Sequence, residues 1–203
     1  MKHVSLRQSA AEGIGTFLLA FGVGLTVAVQ NFPLPTVLVA GIILMTIVYT
    51  IGPISGAQVN PAITLGLLSI RKISLQQAVT NIVAQLIAGI VAFWALHLLG
   101  APVPPAMSPL SSIAGEVIGA FVLAWGVASV VYGKVQDAAS GLTIGGSLMA
   151  GVVVASFGSL GILNPAVAVA VGAGSAVYLA APFFGGVIGM QVYHWVVNEN
   201  KKK

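Results

Sequence analysis

The chain has 203 residues, of which 58% are hydrophobic and 6% charged, with a mean hydropathy of +1.04. A water-soluble globule needs a charged surface, so these values exclude that class and put the chain in a membrane. The formal charge of +4 comes from basic residues scattered through short loops and tails, which argues against a nucleic-acid partner, and the lack of cysteine excludes disulfides, thiolate metal sites and cysteine nucleophiles.

In chain order, the first apolar run predicts a span at about 9–29. Its basic-then-apolar start resembles a signal peptide but lacks a small-x-small cleavage site, so it is expected to be kept as a span. A second span follows at about 35–54. The next apolar stretch, about 60–69, is half the length needed to cross the hydrocarbon core and predicts a re-entrant half-helix. Asn60 serves as its N-cap, and Pro61 at the first helical position lacks only an N–H that would be orphaned anyway. Ser74, with Gln77 three residues later, forms a capping-box pattern that opens a third span at about 75–99. Spans at about 111–132, 139–157 and 175–197 complete the set, with a second half-helix at about 164–173. The result is an all-α membrane protein of six transmembrane helices and two half-helices, a single domain over 1–203.

The tripeptide Asn60-Pro61-Ala62 returns as Asn164-Pro165-Ala166, 104 residues later. The same offset carries Glu12 to Glu116, Gly15 to Gly119, Phe17 to Phe121, Gly41 to Gly145 and Ser55 to Ser159. The chain is one unit written twice, repeat one at about 9–99 and repeat two at about 111–197. Each repeat holds three full spans, an odd number, so the second enters the membrane inverted. The half-helices then come from opposite faces, and their N-termini meet near the midplane, where two positive dipole ends repel cations. Each Asn accepts from its own helix with its side-chain oxygen and leaves its NH2 to donate into a lumen.

Every Lys and Arg falls on one side of this topology: Lys2, Arg7, Arg71, Lys72, Lys134 and Lys201 to Lys203. The outer connections around 30–34, 100–110 and 158–174 have none. The positive-inside rule therefore puts both termini in the cytoplasm, as expected for a multi-pass protein of the cell membrane. Lys201 to Lys203 reads as a topology anchor.

These residues resemble the aquaporin or major intrinsic protein family, and the resemblance covers the whole chain. It is carried by the paired Asn-Pro-Ala motifs, Ala11-Glu12-Gly13-Ile14-Gly15-Thr16-Phe17, Ser55-Gly56-Ala57-Gln58-Val59, Ala84-Gln85 and Pro182-Phe183-Phe184-Gly185. The resemblance implies a passive channel, a homotetramer with one pore per subunit, and an outer constriction formed by Ala40, Val152, Gly161 and Val167. Here the chain departs from the family pattern. Val167 stands where most members carry Arg, the other constriction positions are small or aliphatic, and Gln58 replaces a familiar His. A wide apolar constriction favours neutral solutes larger than water, and glycerol-like polyols, urea, ammonia, hydrogen peroxide and neutral metalloid hydroxides are all compatible with it. Local rearrangement that leaves an ordinary water channel is the bland alternative.

Glu12 and Glu116 are the acids inside spans, where a carboxylate needs a partner. One reading has each accepting backbone N–H bonds from the adjacent half-helix loop and supporting it. The other makes them proton relays of a coupled inverted-repeat transporter. His97 and His194 read as interfacial, and the Gly115/Gly119 and Gly141/Gly145 spacings as helix contacts. Trp94, Trp125 and Trp195 are candidates for interfacial belts, with Trp125 placed too centrally for one. No nucleophile–base pair, metal-ligand cluster or cofactor motif emerges, so neither an enzyme, a metal nor a cofactor is expected.

Overall fold

A computed structural model describes residues 5–101 and 109–199 of the protein, with Pro109 and Glu199 described for their backbone. Lys2, His3, Lys201 to Lys203 and most of the connection around 100–110 lie outside these residues. Eight α-helices follow in order: α1 (Leu6–Ala28), α2 (Thr36–Ser55), α3 (Pro61–Ser69), α4 (Leu75–Leu98), α5 (Pro109–Val131), α6 (Ser140–Ala155), α7 (Pro165–Ala170) and α8 (Ala176–Glu199). Six are long and apolar enough to cross a membrane, α6 with the 3-10 turn Asp137–Ala139 that leads into it. The short pair, α3 and α7, are the half-helices.

Local chemistry explains the boundaries. Helix α1 starts earlier than its apolar run because Ser5 and Gln8 form a full capping box, a polar signal that hydropathy overlooks. Ser74 caps α4 by accepting from the Gln77 N–H. Helix α2 ends where Gly56 turns left-handed at φ 95°. Helix α7 stops at Ala170, short of the predicted 173, because Gly172 adopts φ 74° and the Ala173 N–H closes back on the Ala168 carbonyl. Pro182 inside α8 deprives the Tyr178 carbonyl of its helical donor.

The bundle is apolar outside, as lipid demands, and sets a few buried polar groups within an apolar core. Ile14, Leu18, Ile42, Val83, Ile87 and Val153 are exposed on the outer faces, whereas Glu12, Thr16, Asn81, Gln85 and Glu116 are fully buried. Helix α2 meets α6 at the pseudo-symmetric pair Gly41 and Gly145, where a Cβ on Gly145 would stand 2.6 Å from the Gly41 carbonyl oxygen. The other predicted glycine contacts involve Gly115 and Gly119, which face α6 and the loop after it, and Gly141, which faces the Tyr49 ring. Trp125 packs edge-on against Tyr193. His194 contacts the Tyr132 hydroxyl and Asn198, and the Lys72 Nζ sits 4.2 Å over the Tyr132 ring.

Candidate pore

Two loops bring the half-helices to the middle of the bundle. In each, alternate residues adopt left-handed backbone: Ala57 and Val59 in the first, Gly161 and Leu163 in the second. For non-glycine residues this conformation carries strain that the surroundings must hold in place. The buried acids supply that hold. Glu12 accepts from the Gln58 N–H at 3.0 Å and the Val59 N–H at 2.7 Å, and from Ser55 Oγ and Gln85 Nε2 at 2.7 and 2.9 Å. Glu116 accepts from the Ile162 N–H at 2.9 Å, the Leu163 N–H at 2.6 Å and the Ser159 hydroxyl. Each carboxylate faces donors on both oxygens, the condition under which a buried charge is tolerated.

Asn60 and Asn164 join the two halves. Each side-chain oxygen caps its own half-helix, accepting from Ala62 N–H at 2.9 Å and from Ala166 N–H at 3.0 Å. Each Nδ2 donates across the pseudo-twofold axis, Asn60 to the Leu163 carbonyl at 3.0 Å and Asn164 to the Val59 carbonyl at 2.9 Å. The sequence reading left both N–H groups of each amide for a lumen. One of the two is instead committed to locking the opposite loop, and the second remains.

One cavity of about 710 Å³ runs past both amides. Its wall includes α2 from Thr36 to Pro53 and α6 from Ser140 to Val152, so it follows α2 over about 25 Å, close to the thickness of a hydrocarbon core. Ala40, Val152, Gly161 and Val167 all stand on this wall, as do Asn60 and Asn164. Glu12 and Glu116 do not. Leu44, Val48, Ile144 and Leu148 make the facing side apolar, and Asp137 is the one formally charged side chain lining the cavity among the described residues.

Sequence reasoning missed a polar cluster behind the first loop. Asn81 Nδ2 donates to Gln58 Oε1 at 3.2 Å, and Thr64 shares a hydrogen bond with Gln85, which also donates to Glu12. The signal was present: Asn81 and Gln85 lie four apart on one face of an otherwise apolar span.

Residues 1–193 match the family described as Major intrinsic protein. Nodulin-26 of Glycine max is 31% identical over 212 residues, covering 94% of this chain and 78% of that protein. The probable aquaporin NIP-type of Nicotiana alata is 32% identical over 98% of this chain and 80% of its own length. Among solved structures, the aquaglyceroporin from Plasmodium falciparum shares the fold, with a TM-score of 0.76 and 22% identity over 95% of this chain and 96% of that one. With six membrane-spanning helices, two opposed half-helices and a cavity between them, the chain belongs to the major intrinsic protein family of multi-pass membrane channels.

Proposed function

We propose that the chain is a passive channel for water and small neutral solutes of glycerol-like size, and that the cavity running past Asn60 and Asn164 is its conduit. The observation that carries this reading is the extent of that cavity, lined along α2 from Thr36 to Pro53, with both amides on its wall. Water and polyols need donors and acceptors to replace their lost hydration. The remaining N–H of each Asn supplies donors. The Gln58 and Val59 N–H groups are tied to Glu12 and the Val59 carbonyl accepts from Asn164, which leaves the Gln58 carbonyl of the same segment for the solute. The opposed half-helix N-termini put positive dipole ends at the midplane and disfavour cations.

The ring of Ala40, Val152, Gly161 and Val167 acts as a wide apolar constriction on the side away from the termini. It has no side-chain donor or fixed charge, so it sorts solutes by size and by tolerance of lost hydrogen bonds. The relatives named as aquaporins support water as a permeant. Glu12 and Glu116 serve as supports of the half-helix loops. Each accepts on both oxygens from the loop it supports and neither lines the cavity, which argues against a proton-coupled transporter. Arg7, Arg71, Lys72 and Lys134 share the side of the termini, which supports a cytoplasmic location for both ends in the cell membrane. The working assembly is a homotetramer, each subunit with its own pore.

Stopped-flow swelling of proteoliposomes tests the reading. Downhill water and glycerol flux above that of empty vesicles, unchanged by an imposed proton gradient, is the expected result. Flux that requires the gradient would overturn it.

A further inference from the structure

The two ends of the cavity are unequal. Moving the ring of Ala40, Val152, Gly161 and Val167 through the 104-residue repeat gives Ile144, Val48, Ala57 and Ile63, all of which also line the cavity, on the side of the termini. Ile144 stands in for Ala40, Ala57 for Gly161 and Ile63 for Val167, so this second ring is bulkier and equally apolar. Beside it lies Gln58, among the described residues the one polar side chain on the wall between the midplane amides and the mouth residues Tyr49, Asp137 and Ser140. Its counterpart in the other half is Ile162.

Gln58 is held at one end. Its Oε1 accepts from Asn81 Nδ2, and Asn81 is fully buried, with its own Oδ1 lacking a partner among the described residues. In the reverse orientation Gln58 would donate to Asn81 and turn its own oxygen to the lumen. With Oε1 fixed, Nε2 is the end left for the lumen.

We infer that Gln58 is a specificity-determining donor of this pore, presented by Asn81 as its positioning residue, and that selection among solutes occurs at the narrower, termini-side ring. A solute squeezed between Val48, Ile63 and Ile144 loses hydration on its apolar flank. The Gln58 N–H restores one bond to a polyol hydroxyl, whereas a water molecule keeps bonds to the waters before and after it and depends less on this donor. The inference rests on the cavity being the conduit.

The test is the ratio of glycerol to water permeability in proteoliposomes, measured on monodisperse protein. Gln58→Met keeps the length and removes the donor; one hydrogen bond at a constriction is expected to lower the ratio about fivefold. Gln58→His restores it within about twofold, because one ring nitrogen can accept from Asn81 while the other N–H donates to the lumen. Asn81→Val is expected to lower the ratio alone and to add nothing to Gln58→Met. If Gln58→Met does not fold, Asn81→Val against wild type carries the test. An unchanged ratio in either single variant, or effects that add in the double variant, would overturn the role of Gln58 while wild-type flux upholds the channel. Absence of flux through wild-type protein removes the channel and this role together.

Discussion

Helix α4 sits behind the first half-helix with Asn81 and Gln85 turned into the bundle, whereas α8, 104 residues later, brings Gly185 and Gly189 to the equivalent places. The first half fills its interior with a hydrogen-bonded cluster of Glu12, Gln58, Thr64, Asn81 and Gln85. The second replaces Thr16, Gln58, Thr64, Asn81 and Gln85 by Ala120, Ile162, Ala168, Gly185 and Gly189. There the backbones close up instead: a Cβ on Gly185 would stand 2.2 Å from the Val117 carbonyl oxygen, and one on Gly189 would stand 2.8 Å from that of Phe121. The same backbone plan is thus held once by a hydrogen-bonded polar cluster and once by helix proximity. In lipid both routes work, since helix association there draws on packing and interhelical hydrogen bonds rather than on exclusion of water.

The largest expected effect breaks the close-packed half. Gly189→Leu forces a side chain into the Phe121 backbone, which cannot yield as a side chain would, at a cost of about 3 kcal/mol or more. Loss of monodisperse protein in mild detergent is the expected outcome. Gln85→Leu, at the matching site of the polar half, loses hydrogen bonds but meets no backbone obstacle and should fold with a lowered Tm. Equal damage from both would erase the distinction between the halves.

The two acids sharpen it. In Glu12→Gln one oxygen becomes an NH2, but Gln85 can rotate its amide to accept from it, with Thr64 adjusting. In Glu116→Gln no side-chain amide stands in that place, because Gly189 occupies it, and Glu116 otherwise faces backbone donors and Ser159. Both variants should lose stability, Glu116→Gln by about 3 kcal/mol and Glu12→Gln by less. Thermal unfolding in detergent orders them, and a less stable Glu12→Gln would show that Gln85 does not adapt.

At the midplane the halves are alike, so their substitutions should be alike. Asn60→Leu and Asn164→Leu each remove one N-cap, worth about 1 kcal/mol, and one bond across the axis. Each is expected to cut water flux about tenfold, since a leucine also narrows the lumen and withdraws its donor. Strongly unequal losses would mean that one amide alone meets the solute.

Much of this was legible in the sequence for identifiable reasons. Asn-Pro-Ala announces a helix start chemically, so both half-helix N-termini were placed correctly, and an offset that preserves Glu12 and Glu116 exposes the inverted repeat. The end of α7 was not legible, because Gly172 ends a helix only where its backbone turns left-handed, and the first repeat has Leu68 at that position. The cross-axis bonds of Asn60 and Asn164 were equally hidden, since they join residues about a hundred apart whose approach depends on the whole fold. Gln58 was visible and the Asn81/Gln85 spacing marks the inward face of α4, but the pairing of Gln58 with Asn81 was not legible, because it depends on how α4 docks against the first loop.

The smallest effect on folding, and the sharpest on selectivity, concerns the two rings. Val167 is buried on the cavity wall on the far side, and its counterpart Ile63 holds the same place on the side of the termini. Val167→Arg would bring a long charged side chain and up to five donors to the wide ring. It should lower glycerol permeability about tenfold and water permeability less, because a smaller solute passes the narrowed opening and replaces its lost bonds with the guanidinium. Ile144→Ala, which gives the narrow ring the residue that Ala40 gives the wide one, should act in the opposite direction and raise glycerol relative to water. Equal losses of water and glycerol in Val167→Arg would take Val167 out of the selecting surface. An unchanged ratio in Ile144→Ala would place the narrowest passage away from the side of the termini, leaving the ring around Val167 to set the limit on size.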